Sequence, residues 1–359
     1  MAAITHETID TVYSADSVEW CPVEGFQDLM LCGTYQLEEA KQDECDDKKG
    51  QVRVGRLYLY KLENQSSVPR LNLCTSLDMP GILDVKWSYQ LLQSGPCFAV
   101  VNSVGQLKVF TVNVDNEMEM VTEEILDEDC LGLSLEWDNM LSARKEARIA
   151  SSDSKGGLHV HQMCESCIRE LVSWKAHDFE AWISAFDQWN TDVVYSGGDD
   201  CKLKVWDLRI EPQSPVLTSK RHSMGVCSVQ SSPRQEYQLA TGSYDENLLL
   251  WDSRSMKQPL RELKLDGGVW RIKWEPANAR HILTATMYNG FHVIDTSETE
   301  LSVLLNYKEH QSIAYGADWC RISNKTQSQS NSAPGEYIIG TCSFYDHTLK
   351  LWTYQAANK

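Results

Sequence analysis

One block of this 359-residue chain recurs, and the recurrence constrains the fold more than any other feature. The stretch Tyr195-Ser-Gly-Gly-Asp-Asp-Cys-Lys-Leu-Lys-Val-Trp206-Asp207 is followed by Ala240-Thr-Gly-Ser-Tyr-Asp245-Glu-Asn-Leu-Leu-Leu-Trp251-Asp252. A third copy, Gly340-Thr-Cys-Ser-Phe-Tyr-Asp346-His-Thr-Leu-Lys-Leu-Trp352, comes near the end of the chain. Each reads as a short apolar strand, a small-residue turn carrying an Asp, and an alternating strand that ends in Trp. A unit of this size cannot bury its apolar face alone, so the copies must stack on one another.

The first two copies lie about 45 residues apart, the period of a four-stranded blade in a WD40-type propeller. Weaker copies fill the rest. Strands ending near Tyr60, Phe110, His161 and Ile294 take the place of Trp206, and first strands run through Trp20, Trp87, Trp137, Phe186, Ser231, Trp274 and Trp319. Only three strands follow Ile313, so the N-terminus, around Glu7 to Ser14, is expected to supply the missing one and remove the open sheet edge. The expected fold is all-β: a single seven-bladed WD40-type β-propeller over residues 1–359, closed by the N-terminal strand. Two polar segments break the period and read as solvated loops. Residues 38–53 separate the second and third strands of blade one, and residues 323–335 separate the first and second strands of blade seven.

Composition removes several classes of function. The balance of 33 Lys+Arg against 51 Asp+Glu gives a net charge of −18, which opposes direct nucleic-acid binding because phosphate contacts need a basic face. No run approaches the roughly 18 to 20 apolar residues that cross a bilayer, so no membrane association is expected. The start, MAAITHETID, lacks the pattern of a signal peptide. The twelve scattered cysteines read as small buried hydrophobes kept reduced. The expected compartment is the cytoplasm, with the nucleus left open, and a monomer is expected.

Most histidines belong to the framework. His177, His222 and His310 each precede a first strand, where they can bond the Ser/Thr and Asp of their own blade, with Asp199, Asp245 and Asp346 as the Asp partners. Cys164-Glu-Ser-Cys167 reads as a turn within blade three, and His159 with His161 on one strand face has no evident third ligand, so no metal site is assigned. Familiar catalytic signatures are absent.

What remains is the mouth of the central channel. Five residues beyond each framework His stand Trp182, Cys227 and Tyr315, and blade six places Trp270 there. The weaker blades contribute Asp16, Leu83 and Leu133, and the following positions include Asp84, Ser228 and Arg271. Such a convergence is either a ligand pocket or a plug of packed side chains. The turns on the same face add Asp200, Glu246 and His347, and a His beside a pocket is the default general base.

Several stretches resemble one family in particular: His222-Ser-Met-Gly-Val-Cys227, Gly267-Gly-Val-Trp-Arg-Ile-Lys-Trp274, Tyr315-Gly-Ala-Asp-Trp319 and Thr341-Cys-Ser-Phe-Tyr-Asp-His347. They are similar to the diphthine methyltransferase family of WD-repeat proteins, whose members are understood to be methylesterases despite the name. The resemblance is dense from Ala176 to Trp352 and thin before it. It implies hydrolysis of the methyl ester of diphthine on translation elongation factor 2, giving diphthine and methanol so that amidation to diphthamide can follow. No cofactor is expected. The residues then suggest His347 as base, Arg271 and the Trp270 N–H as oxyanion or carboxylate contacts, and Cys227 as an alternative nucleophile. Trp182 and Tyr315 would hold the trimethylammonium group by cation–π attraction, with Asp84 and Glu246 adding negative charge. The competing expectations are a non-catalytic WD40 scaffold or substrate adaptor, and a reader of methylated lysine.

Overall fold

The computed structural model describes residues 2–38, 52–63, 68–92, 95–142, 144, 146–322 and 336–356. Among them every regular element is a strand, and the strands form seven antiparallel sheets, one per blade. The inner strands are Ala15–Trp20, Ile82–Leu92, Gly132–Trp137, Ile183–Phe186, Val226–Ser231, Arg271–Trp274 and Ala314–Trp319. Each touches the inner strands on both sides, and the last touches the first, so the ring closes. The chain is a seven-bladed β-propeller.

The N-terminal strand completes blade seven. Ala2–Asp10 pairs antiparallel with Thr348–Gln355, from Ala2 opposite Gln355 to Asp10 opposite Thr348. It begins upstream of the expected stretch Glu7 to Ser14 and overlaps it from Glu7 to Asp10. An outermost strand is half solvated, and this one exposes Ile4, so it carries little of the apolar pattern that locates inner strands. In blade one, Gln36–Leu37 pairs with Leu37 opposite Arg53, extending the hairpin toward the first insertion. Of the two insertions, residues 39–51 and 323–335 lie outside the described residues.

The core sits between blades, where the faces of successive sheets meet. The indoles of Trp87, Trp137, Trp274 and Trp319 cross to the preceding blade and donate to the carbonyls of Glu19, Lys86, Gln230 and Lys273, at 3.0 to 3.3 Å. Polar side chains of the inner strands do the reverse. Asp84 accepts from Leu135 N (3.1 Å), Ser228 from Ile272 N (3.1 Å), and Asp318 from Trp20 N (2.8 Å). An inner strand has a free edge toward the channel, and its N–H groups need acceptors. That need explains why the channel wall is polar in a fold otherwise built on apolar packing.

Framework histidines hold the turn between second and third strands in blades three to seven. His222 spans Asp245 (Nδ1 2.9 Å) and Thr241 (Nε2 2.9 Å), and Thr241 also accepts from the Trp251 indole (2.8 Å). His310 bridges Ser343 and Thr341, and Ser343 donates to Asp346. Blade four differs from expectation. His177 bonds Asp200 at 2.8 Å, not Asp199, because Asp200 is the residue four beyond Ser196, as Asp245 is four beyond Thr241. Blades three and six lack the preceding His and use one on the third strand instead. His159 pairs with Asp153 (2.8 Å) and His292 with Thr286 (3.0 Å). The His159–His161 pair is thus half framework, and Cys164 N bonding Cys167 O (2.8 Å) closes the expected turn.

Candidate active site at the channel mouth

A backbone irregularity builds the mouth. In five blades the pairing of the inner strand slips by one residue near its start, and the extra residue is Asp16, Leu83, Leu133, Cys227 or Tyr315. A bulge leaves its residue outside the ladder and re-aims the side chain. Trp182 and Trp270 stand in the same place, immediately before Ile183–Phe186 and Arg271–Trp274. One side chain per blade therefore turns toward the channel mouth.

A second tier comes from the turns between second and third strands. Tyr35 N, Tyr244 N and Phe344 N donate to Ser14 O, Gly225 O and Ile313 O, each two residues before a bulge. Their rings join those of the first tier. Trp270 stacks on Tyr315 (centroids 4.9 Å, 27°), Tyr315 meets Phe344 (5.3 Å), and Phe344 meets Tyr35 (4.7 Å). On the other side Trp182 stands edge-on to Trp270 (5.7 Å, 64°) and to Tyr244 (6.1 Å, 76°). Trp182, Trp270 and Tyr315 are therefore together, in a continuous aromatic arc over blades one and four to seven. Each such ring contact contributes about 0.5 to 1.5 kcal/mol beyond its area. Tyr35, Tyr244 and Phe344 were missed from sequence, although Tyr244 immediately precedes the framework Asp245 and marks the slot.

Two polar groups stand out in the arc. Trp182 Nε1 donates to Asp199 at 3.1 Å, so an exposed carboxylate borders the arc. Trp270 Nε1 is buried with no acceptor among the described residues. A buried donor left unpaired costs about 1 to 3 kcal/mol, which makes it a candidate for a ligand contact.

Below the arc the channel is filled with charge. Arg271 of blade six reaches across to Asp84 of blade two (3.3 Å), which also pairs with Lys86 (2.5 Å). Glu19 takes both Lys86 (2.9 Å) and Lys273. Burial alone would raise the Glu19 carboxyl, but the two lysines outweigh it and hold it at about 2. The cavity beside Glu19, Lys86 and Lys273 is only about 20 Å³, room for about one water.

The remaining sequence candidates fall outside the arc. Arg271 and Asp84 are buried and engage each other beneath it, so Asp84 presents no free charge to a ligand. Cys227 is in the ring of bulges but buried, and burial raises its thiol well above the usual range, which leaves no thiolate to attack. Glu246 pairs outward with Lys264 at 3.2 Å. His347 ends the turn of blade seven with a positive φ of 52°, and its carbonyl accepts from Thr11 N (2.8 Å). No described side chain hydrogen-bonds its imidazole.

Residues 166–207 and 213–252 match the model of the WD domain, G-beta repeat. A mouse protein named diphthine methyltransferase is 43% identical over 87% of this chain and 69% of its own length. The chain belongs to the diphthine methyltransferase family. A Dictyostelium discoideum homologue of the same name is 34% identical over 98% of the chain and all of its own length. A solved structure described as the mitotic checkpoint complex contains a chain with the same fold, at a TM-score of 0.71 and 15% identity, covering 98% of this chain and 92% of that one.

Proposed function

We propose that this protein hydrolyses the methyl ester of diphthine on translation elongation factor 2, releasing methanol and a free carboxylate, within diphthamide biosynthesis. Family membership supplies the pathway, and the observation that carries the reading to a site is the aromatic arc with its bordering carboxylate. Trp182 and Trp270, both half-buried, meet edge to face at 64° and make an aromatic corner, and Asp199 lies at the edge of Trp182. Such a corner suits the trimethylammonium group of diphthine, each ring contributing on the order of 0.5 to 2 kcal/mol by cation–π attraction. Asp199 takes the part that sequence reasoning gave to Asp84 and Glu246. The unpaired Trp270 N–H is the donor for the oxyanion that forms on the ester carbonyl, a part that Arg271 is too engaged with Asp84 to fill.

The mutual packing of the rings also favours a second reading, in which the arc is a closed plug and the protein a non-catalytic adaptor. One assay separates them. Purified protein is mixed with elongation factor 2 carrying methylated diphthine, and methanol release is followed with loss of one methyl group from the factor. Turnover is expected, falling at least tenfold in Trp182→Ala with folding intact. Binding of the factor without methanol release establishes the adaptor.

A further inference from the structure

The ester reaction needs a group to take a proton from water, and the mouth holds one that no framework duty explains. We propose that Asp16 is the general base of the hydrolysis. It deepens the function proposed above and rests on it.

The geometry singles Asp16 out in two ways. Of the seven side chains that turn toward the mouth, it is the one carboxylate, and the other ionisable groups there, the Cys227 thiol and the Tyr315 phenol, are both held protonated by burial. Every other carboxylate of the inner strands along the channel is engaged. Asp84 and Glu19 are ion-paired as described, Glu136 accepts from Phe186 N at 2.9 Å, and Asp318 accepts from Trp20 N. Asp16 is 3% exposed, yet among the described residues nothing hydrogen-bonds or ion-pairs with its side chain.

Its surroundings set its proton affinity. Burial raises the Asp16 carboxyl most, Arg271 lowers it, Asp84 raises it and Lys86 lowers it, leaving it at about 7. Tyr35, Tyr244 and Tyr315 from the aromatic tier and Cys342 from blade seven also face it, all neutral near pH 7 because burial raises each. A base of that affinity is matched to proton transfer near neutral pH. Arg271, neutralised by Asp84, keeps Asp16 from rising further without binding it.

In the proposed step the Asp16 carboxylate takes a proton from water as the water oxygen bonds to the ester carbon. The carbonyl π pair moves to oxygen, where Trp270 N–H receives it. The intermediate collapses, the bond to the methoxy group breaks, and the protonated Asp16 returns its proton to methoxide. The products are methanol and the carboxylic acid, which ionises to solvent, and Asp16 is again a carboxylate.

The test is Asp16→Asn, nearly isosteric, assayed for methanol release from the methyl-esterified factor. Turnover is expected to fall 10²- to 10⁴-fold with KM within threefold of the wild type. Wild-type turnover should rise with pH through a midpoint of about 7, a limb absent from the variant's residual rate. A purely structural role would not give that limb. Turnover of Asp16→Asn within threefold of wild type overturns the assignment and leaves the proposed function standing, as does a wild-type rate that is flat between about pH 5 and 9. Loss of turnover in His347→Ala with Asp16→Asn active moves the role to His347. No methanol release by the wild type overturns both proposals. Thermal unfolding verifies the fold, and if the Asn variant does not fold, the wild-type pH profile and Asp16→Glu decide.

Discussion

Trp270 shows how one side chain can be tested in two of its capacities. Its ring stacks on Tyr315 while its N–H lies buried without an acceptor among the described residues. Trp270→Phe keeps much of the stacking and removes the donor. Since that N–H has no acceptor among the described residues, unfolding free energy should change by less than about 1.5 kcal/mol. If the N–H meets the oxyanion, turnover should fall about 10²- to 10³-fold, and urea unfolding beside a methanol assay reads both. His222→Ala has the opposite profile. It strands Asp245 and Thr241, so a loss of about 1 to 3 kcal/mol in urea unfolding is expected, with turnover retained at a temperature where the variant stays folded. At this scale sequence reading was uneven. Counting from the framework His found Trp182, Cys227 and Tyr315 because repeat spacing is rigid, but it could not tell which neighbours already had partners. Arg271 and Asp84 looked like site residues for that reason. Their pairing links blades six and two, a relation that no local spacing records.

Among elements, the N-terminal strand is the one whose removal has the clearest outcome. Without Ala2–Asp10, the strand Thr348–Gln355 becomes an exposed sheet edge, and the Thr5 hydroxyl contact to Tyr307 (2.7 Å) that links it to blade six is lost. A chain lacking residues 1–10 should aggregate on purification and lose its single cooperative thermal transition, which light scattering and calorimetry will show. The repeated strands were legible because buried inner positions repeat apolar residues and end in Trp. The closing strand was placed a few residues too late, since its half-exposed AAITHETID follows no such rule. The bulges left no mark on composition at all. They became visible only as register slips, although the residue types they display, Tyr and Asp among Leu and Cys, were already unusual as a set.

For the molecule as a whole, buried titratable groups confine stability from both sides of pH. Burial lowers His161 and His292 to about 4 and His310 to about 3. Their folded affinity for protons is below the unfolded value near 6.5, so stability is lost as pH falls from about 6.5 toward 4, by on the order of 3 kcal/mol for each of the first two. Burial acts the other way on Asp16, at about 7, and on Glu136, at about 8. Folded carboxyls with raised affinity give stability at low pH that declines as pH rises from about 4 through 7 to 8. Urea midpoints should therefore peak between about pH 5.5 and 7 and drop toward both pH 4.5 and pH 9. A midpoint that climbs steadily to pH 9 contradicts this.

The cross-channel ion layer has a consequence for traffic. Arg271, Asp84, Lys86, Glu19 and Lys273 tie blades one, two and six together across the axis, and their ion pairs stand between one face of the ring and the other. A guest at the aromatic arc has a single doorway. Whatever is admitted there, and whatever is cut from it, must depart by the way it came, and while a large protein guest covers that opening its small leaving fragment waits behind it.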